Sequence, residues 1–167
     1  MSDGSALPGE GIRIRKMKPE DMQAVLDILS GWNMAPLAPT EDNPDPERSA
    51  VDTGNSFVAV DGSTVDGSTV VGIASYIILD EERAETASLA VDPAYRGMGI
   101  GRRLQAARLR EMKKRGIRRV RTESDRPETI RWYVEKFGYR VVGTKMKKHP
   151  FSLPEVDRWT VLELELY

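Results

Sequence analysis

The chain contains no cysteine and a single histidine, His149. Without cysteine there is no disulfide framework, no thiol nucleophile and no cysteine-based zinc site. One histidine cannot build a multi-histidine metal centre, so no metal is expected. Long apolar runs are also missing. The longest mainly apolar stretch, Val70 to Leu79, falls far short of the ~18 residues a membrane helix needs. The start, MSDGSALPGEG, lacks the basic residues and apolar core of an export signal. No membrane partner is expected, and a cytoplasmic location is the default.

What is present fits one soluble globular domain: 167 residues, 40% hydrophobic and 31% charged. The formal net charge of −1 conceals an uneven distribution. Between Arg96 and Arg121 there are eleven Lys/Arg and one acid, Glu111, so that segment carries +10 while the remainder carries −11. No recognised nucleic-acid motif accompanies the basic block, so nucleic acid is not expected as a partner. Lys113, Lys114 and Arg115 read as a solvated helix face. Arg96, Arg102 and Arg103 are better placed to meet an anion.

Residues Met1 to Gly11 are rich in Gly, Ser and Pro and predict a disordered tail, with one domain over 12–167. Ile12 to Met17 alternates apolar and charged residues as a strand with one wet face does. Pro19 suits a first helical turn, and Met22, Val25, Leu26 and Leu29 repeat with helical spacing, giving a helix to about Leu29 with Gly31 marking its end. Prolines 36, 39, 44 and 46 argue against a long helix, although a short one from Pro46 to about Val51 fits. Strands are predicted at Ser56–Val60 and Val70–Leu79, joined across an exactly duplicated pentapeptide, Asp-Gly-Ser-Thr-Val, whose Asp-Gly pairs are hairpin chemistry. Further strands are predicted at Glu85–Val91, Val120–Glu123, Tyr139–Met146 and Trp159–Leu166. Helices are predicted over Arg102–Arg115, with Gly116 at its end, and from Pro127 to Gly138.

The segment Ser88 to Leu104, SLAVDPAYRGMGIGRRL, joins a strand to a helix through three alternating glycines, Gly97, Gly99 and Gly101. Glycines let main chain approach a bulky anion, and the following helix start presents unpaired N–H groups and a positive dipole end. A Walker A loop would need Gly-Lys-Ser/Thr, but Arg102 and Arg103 follow Gly101. A dinucleotide fingerprint would need a third Gly or Ala where Arg102 or Leu104 stands. The remaining pattern, Arg96-x-x-Gly99-x-Gly101 after Leu89-Ala90-Val91, resembles the acetyl-CoA loop of the GNAT superfamily of N-acyltransferases. A second family element, Trp132-Tyr133-Val134-Glu135-Lys136-Phe137-Gly138-Tyr139, follows at the expected distance. The resemblance extends over the order β-α-(α)-β-β-β-α-β-α-β-β, from Ile12 to Leu166.

That resemblance implies an α/β (α+β mixed) single-domain fold: a mostly antiparallel mixed sheet of about seven strands, splayed at the cofactor cleft and flanked by about four helices. It implies acetyl-CoA as co-substrate and an amine acceptor, with a homodimer as a family-level expectation. The main chain of Leu89, Ala90 and Val91 would pair with the pantetheine arm. Arg96, Gly97, Met98, Gly99, Ile100, Gly101 and Arg102 would hold the pyrophosphate. Tyr133 stands where the family places a general acid for the leaving thiolate, with an ordinary core tyrosine as the rival reading. Arg126 occupies a position where many members carry Asn, and either replaces that cofactor contact or is a solvated helix-start arginine.

Acyl transfer to an amine requires the neutral amine. With a lysine-like pKa of ~10.4, about one amine in 2,500 is neutral at pH 7, a deficit of roughly 4.6 kcal/mol that a base or desolvation must offset. Glu123 is the first candidate base, followed by Glu85 and Asp125, with an ordered water as the alternative. The rival functions are a non-catalytic CoA-binding or protein-interaction module on the same fold and a transferase of another acyl group. The proline-rich segment and the loop at His149 are where acceptor choice would lie.

Overall fold

The computed structural model describes residues 11–37, 40–41 and 51–166. The tail predicted to be disordered, apart from Gly11, and the short helix predicted at Pro46–Val51, apart from Val51, lie outside the described residues. The alternating N-terminal run forms β1 (Ile12–Lys16), which buries Ile12 and exposes Arg13. Pro19 opens a 3-10 turn, Pro19–Asp21, that feeds α1 (Met22–Gly31), and Val25 and Leu29 on its apolar stripe are fully buried. The duplicated turn joins β2 (Ser56–Asp61) to β3 (Thr69–Ile78) as an antiparallel hairpin, and β4 (Arg83–Val91) follows.

After the glycine segment comes α2 (Ile100–Lys114), then β5 (Arg119–Ser124), α3 (Pro127–Phe137), β6 (Arg140–Met146) and β7 (Arg158–Glu165). The sheet order is β1-β2-β3-β4-β5-β7-β6, and every neighbouring pair is antiparallel except β4–β5. Seven strands and a mixed, mostly antiparallel sheet match the predicted fold class. About four flanking helices were expected, and among the described residues there are three α-helices.

Successive side chains of a strand face opposite sides, which explains how one sheet carries helices on both faces. Val58 and Val60 of β2 pack in a cluster with Val25 and Leu29 of α1, whereas Ala59 between them packs with Ile100 and Leu104 of α2. A smaller cluster joins Tyr133 of α3 to Tyr139 and Leu162.

The splay of the sheet is visible in the register. β4 and β5 pair in parallel over three positions only, Arg83↔Arg119, Ala84↔Val120 and Glu85↔Arg121. Beyond them, β5 stays with β7 as far as Ser124↔Thr160, while β4 stays with β3 as far as Gly72↔Val91. The β3–β4 register shifts between Ser75 and Tyr76, leaving Ala87 as an extra residue that bends β4 away. Just past this pairing, the Thr86 hydroxyl donates a hydrogen bond to the Thr122 hydroxyl, clasping the two strands as they diverge.

Candidate functional site

The parted strands border a cavity of about 280 Å³ lined by β4 from Thr86 to Val91, by β5 from Thr122 to Ser124, and by Tyr133, Trp32 and Trp159. In an antiparallel ladder, N–H and C=O groups point alternately toward and away from the partner strand. The Asp92 N–H bonds the Val71 carbonyl across the Gly72↔Val91 pair. The main-chain groups of Leu89 and Val91 therefore turn away from β3, into the cleft. The Val91 carbonyl accepts the Trp32 indole N–H at 2.9 Å.

The glycine segment leaves this cleft through a short turn, Pro93–Tyr95, capped by Asp92, whose carboxylate accepts the Ala94 N–H. The Tyr95 hydroxyl donates to Asp61 at 2.6 Å, tying the turn to the end of β2. Gly97 and Gly99 have φ of +80° and +73°, a left-handed backbone that explains glycine at both. Gly99 is the N-cap of α2, and no side chain caps that end or places a negative charge in its first turn. The Arg103 N–H already bonds the Gly99 carbonyl, so the N–H groups of Ile100, Gly101 and Arg102 are the ones without intrahelical partners. Three N–H groups without intrahelical partners, the dipole end of a 15-residue helix and exposed Arg102 and Arg103 give this helix start the donors and positive field that favour an anion. Arg96 lines the cleft beside them, while Met98 and Ile100 pack inward on Leu104.

Tyr133 is 4% exposed, with its ring 4.9 Å from that of Tyr139. Its hydroxyl accepts a 2.9 Å hydrogen bond from Nη2 of Arg108, a residue with no exposed surface. Arg108 also donates from Nη1 to the Ser88 and Ser75 carbonyls at 2.8 and 3.1 Å, and from Nε to Oε1 of Gln105 at 2.6 Å. Nε2 of Gln105 then donates to the Tyr139 hydroxyl at 2.9 Å. Burial, followed by the neighbouring Tyr133, pushes the Tyr139 phenol above its ordinary value, against the opposing effects of Arg108 and Gln105.

Among the candidate bases, the structure brings Glu123 to the cavity wall, with its Oε1 3.4 Å from Nζ of Lys145. Glu85 is not among the residues lining the cavity, and its carboxylate lies 3.8 Å from Nε of Arg121. Asp125 reaches the cavity too, but its carboxylate is already engaged. It accepts from Nζ of Lys147 at 2.7 Å, from the Ser152 hydroxyl at 2.8 Å and from the Leu153 N–H at 2.9 Å. Burial raises its pKa, but Lys147, Leu153 and Ser152 together outweigh that and hold it below the usual carboxylate range. A carboxylate so held is a poor proton acceptor.

Lys147 is equally satisfied. Its ammonium donates to Asp125 and to the carbonyls of Phe151 and Leu153, both at 2.9 Å, and lies 4.5 Å from the Trp159 ring centre. This fastens the loop between β6 and β7 against the cleft. Arg126, the N-cap of α3, stacks its guanidinium 5.1 Å from the Trp32 ring centre and donates from Nε to the Ser152 hydroxyl at 3.2 Å. His149 packs its ring 4.6 Å from that of Phe151 and does not line the cavity.

A family model described as Acetyltransferase (GNAT) family matches residues 22–139. The chain belongs to the GNAT acetyltransferase family. No curated protein sequence matches this GNAT chain at a significant level. Solved GNAT-like structures superpose along almost its whole length. A GCN5-related N-acetyltransferase from Kribbella flavida is 20% identical, with 94% of this chain and 99% of that one covered and a TM-score of 0.67. The ribosomal-protein-S18-alanine N-acetyltransferase from Escherichia coli is 20% identical, with 92% and 93% covered and a TM-score of 0.66. Rv2747 from Mycobacterium tuberculosis, solved in complex with CoA, is 16% identical, with 93% and 99% covered and a TM-score of 0.65. At such identities the likeness shows the fold.

The cavity also contains residues that sequence reasoning passed over. Arg108 falls four residues from both Leu104 and Met112 on the buried stripe of α2, so a charge inside an apolar i, i+4, i+8 row was its signal. Ser124, Ser152 and Trp159 carry no comparable mark, because their places in the cavity depend on how β5 and the β6–β7 loop meet.

Proposed function

We propose that this protein transfers an acetyl group from acetyl-CoA to a primary amine, on a small molecule or a polypeptide, by direct attack of the amine on the thioester. The observation that carries this reading is the joining of three features by one strand–turn–helix segment and the cavity beside it. These are the inward-turned main chain of Leu89 and Val91, the uncapped start of α2, and the hydroxyl of Tyr133.

Acetyl-CoA supplies an activated acetyl thioester, and the chain's residues do the rest. Leu89 and Val91 offer backbone groups for the pantetheine amides, and an N–H at this edge can stabilise negative charge on the thioester oxygen. The free N–H groups of α2, with Arg96 and Arg102, bind the pyrophosphate; Arg126 at the cavity wall is an additional cofactor contact. As the C–N bond forms and the C–S bond breaks, the amine's proton passes to Glu123, directly or through a water. Tyr133 gives its phenol proton to the departing sulfur. Water returns a proton from Glu123 to Tyr133, so the balance is acetyl-CoA plus amine giving acetamide plus CoA. Glu85, paired with Arg121 off the cavity wall, is left as a reserve candidate.

The test is a panel of small amines and peptides with free N-termini, read by release of free CoA, beside calorimetry of acetyl-CoA binding. Turnover with at least one amine is expected, and Tyr133→Phe should lower kcat about 100-fold while leaving acetyl-CoA affinity within about twofold. Acetyl-CoA binding without turnover across the panel would favour the non-catalytic module. No binding at all would remove the cofactor assignment.

A further inference from the structure

The buried polar chain Tyr139–Gln105–Arg108–Tyr133 lies behind the cleft, and its directions can be read without seeing a hydrogen. Arginine donates and never accepts. The Gln105 atom facing Nε of Arg108 must therefore be its carbonyl oxygen, which turns the Gln105 amide toward the Tyr139 hydroxyl. The same logic fixes the other end: the Tyr133 oxygen accepts from Nη2 of Arg108. Among the described residues Arg108 is the one hydrogen-bond partner of that hydroxyl. Its single proton is therefore not committed to the protein interior.

Arg108 is an unusual residue for this place. It is fully buried, and among the described residues no carboxylate pairs with it. Neutral acceptors alone hold the charge: two main-chain carbonyls at the β3–β4 bulge, one amide and one phenol. Keeping a cation in a dry interior is costly, and an apolar side chain would fill the same space on the Leu104–Met112 stripe.

We propose that Arg108 is a positioning residue for acyl transfer: by donating to the Tyr133 oxygen it fixes the phenol ring and leaves the phenol proton free to point into the cleft. As that proton leaves for the departing sulfur, the guanidinium faces the negative oxygen that remains, in a water-poor site where such an interaction is strong. The inference rests on the transferase reading above. It adds that the general acid is set up from behind by α2 and is oriented relative to the bulge of β4 through the Ser75 and Ser88 carbonyls.

The experiment is a double-mutant cycle between Arg108→Met and Tyr133→Phe, using acetyl-CoA and the panel amine with the fastest turnover. Arg108→Met alone should lower kcat at least tenfold with acetyl-CoA affinity within about twofold. In the Tyr133→Phe background the same change should alter kcat by less than about twofold, because the group it acts through is gone. A merely structural arginine would lower kcat by the same factor in both backgrounds, and that additive result overturns the proposal. If Arg108→Met does not fold, Arg108→Lys takes its place in the cycle, with the same two outcomes. A second readout needs no turnover. With tyrosines labelled at Cζ, the Tyr133 resonance, assigned by its loss in Tyr133→Phe, should move in the Arg108 variant, and an unmoved signal also overturns the proposal. A panel without any turnover removes the transferase reading and this role with it. Turnover with an additive cycle removes this role alone.

Discussion

Lys147→Met separates a structural ion pair from a decorative one. Both partners are buried, with side-chain exposures of 3% for Lys147 and 2% for Asp125. Removing the ammonium takes away one of the three donors to the Asp125 carboxylate and deprives the Phe151 and Leu153 carbonyls of their Lys147 bonds. Breaking one side of a buried pair costs about 3–5 kcal/mol, since the remaining charge stays buried. In a domain of this size each kcal/mol lowers Tm by about 2–4 °C, so a fall of about 6–20 °C is expected in a thermal melt at pH 7. The direction of the pH dependence is a second check. In the native protein the Asp125 pKa is held low, so its stabilising contribution is present above the unfolded value of ~3.9 and is lost as pH falls through the native one. In the variant the Lys147 contribution is gone and only Leu153 and Ser152 oppose burial, so Asp125 is held down less and contributes less stability above pH ~4. The gap between the two proteins should be widest at neutral pH and narrow toward pH 4. Replacing both partners by apolar residues of similar volume should recover most of the loss. A Tm shift under about 2 °C for Lys147→Met, or a gap that does not change with pH, would refute the reasoning.

Gly99→Val forces a β-branched residue into a left-handed conformation that costs about 1–2 kcal/mol, although an added Cβ meets nothing within 4 Å. Acetyl-CoA affinity should fall at least tenfold by calorimetry with a Tm lower by about 2–8 °C, and unchanged affinity would separate the glycine segment from the cofactor. Because the Tyr139 phenol is pushed up in the native state, stability should decline as pH rises past the unfolded tyrosine value of ~10, and the decline should be shallower in Tyr139→Phe, where only the raised Tyr76 and Tyr95 still contribute. Urea melts between pH 8 and pH 11 would measure it.

The fold was largely legible because β1 announces itself by alternation, the β2–β3 hairpin by its duplicated Asp-Gly turn, and the helices by apolar rows with glycine or proline at their ends. The exceptions have local causes. α2 begins at Ile100 rather than Arg102, because left-handed Gly99 serves as the cap and Gly101 is already helical. The first helix was read from Pro19, where a 3-10 turn precedes the α-helix. The main-chain role expected at Leu89 and Val91 came from the family resemblance, whereas the close-approach glycines were foreseeable from a strand running into alternating glycines. The occupied state of Asp125 was not, since its partners Lys147, Ser152 and Leu153 lie more than twenty residues away and meet it only when β6 and β7 close. Arg108 was the nearest miss. A charge amid Leu104 and Met112 could be noticed, but its acceptors belong to β3, β4, α2 and α3, and a helical stripe does not name them.

The brief pairing of β4 with β5 gives the sheet two edges in its interior besides the two at its rim. An edge speaks through amide and carbonyl groups, which belong to every residue type alike. Side chains at Leu89 and Val91 can drift through many apolar alternatives without changing what that edge offers a guest. Proline alone erases an N–H there. The floor of the cleft is thus robust to mutation in a way its walls, built from Trp32, Arg126 and Trp159, are not.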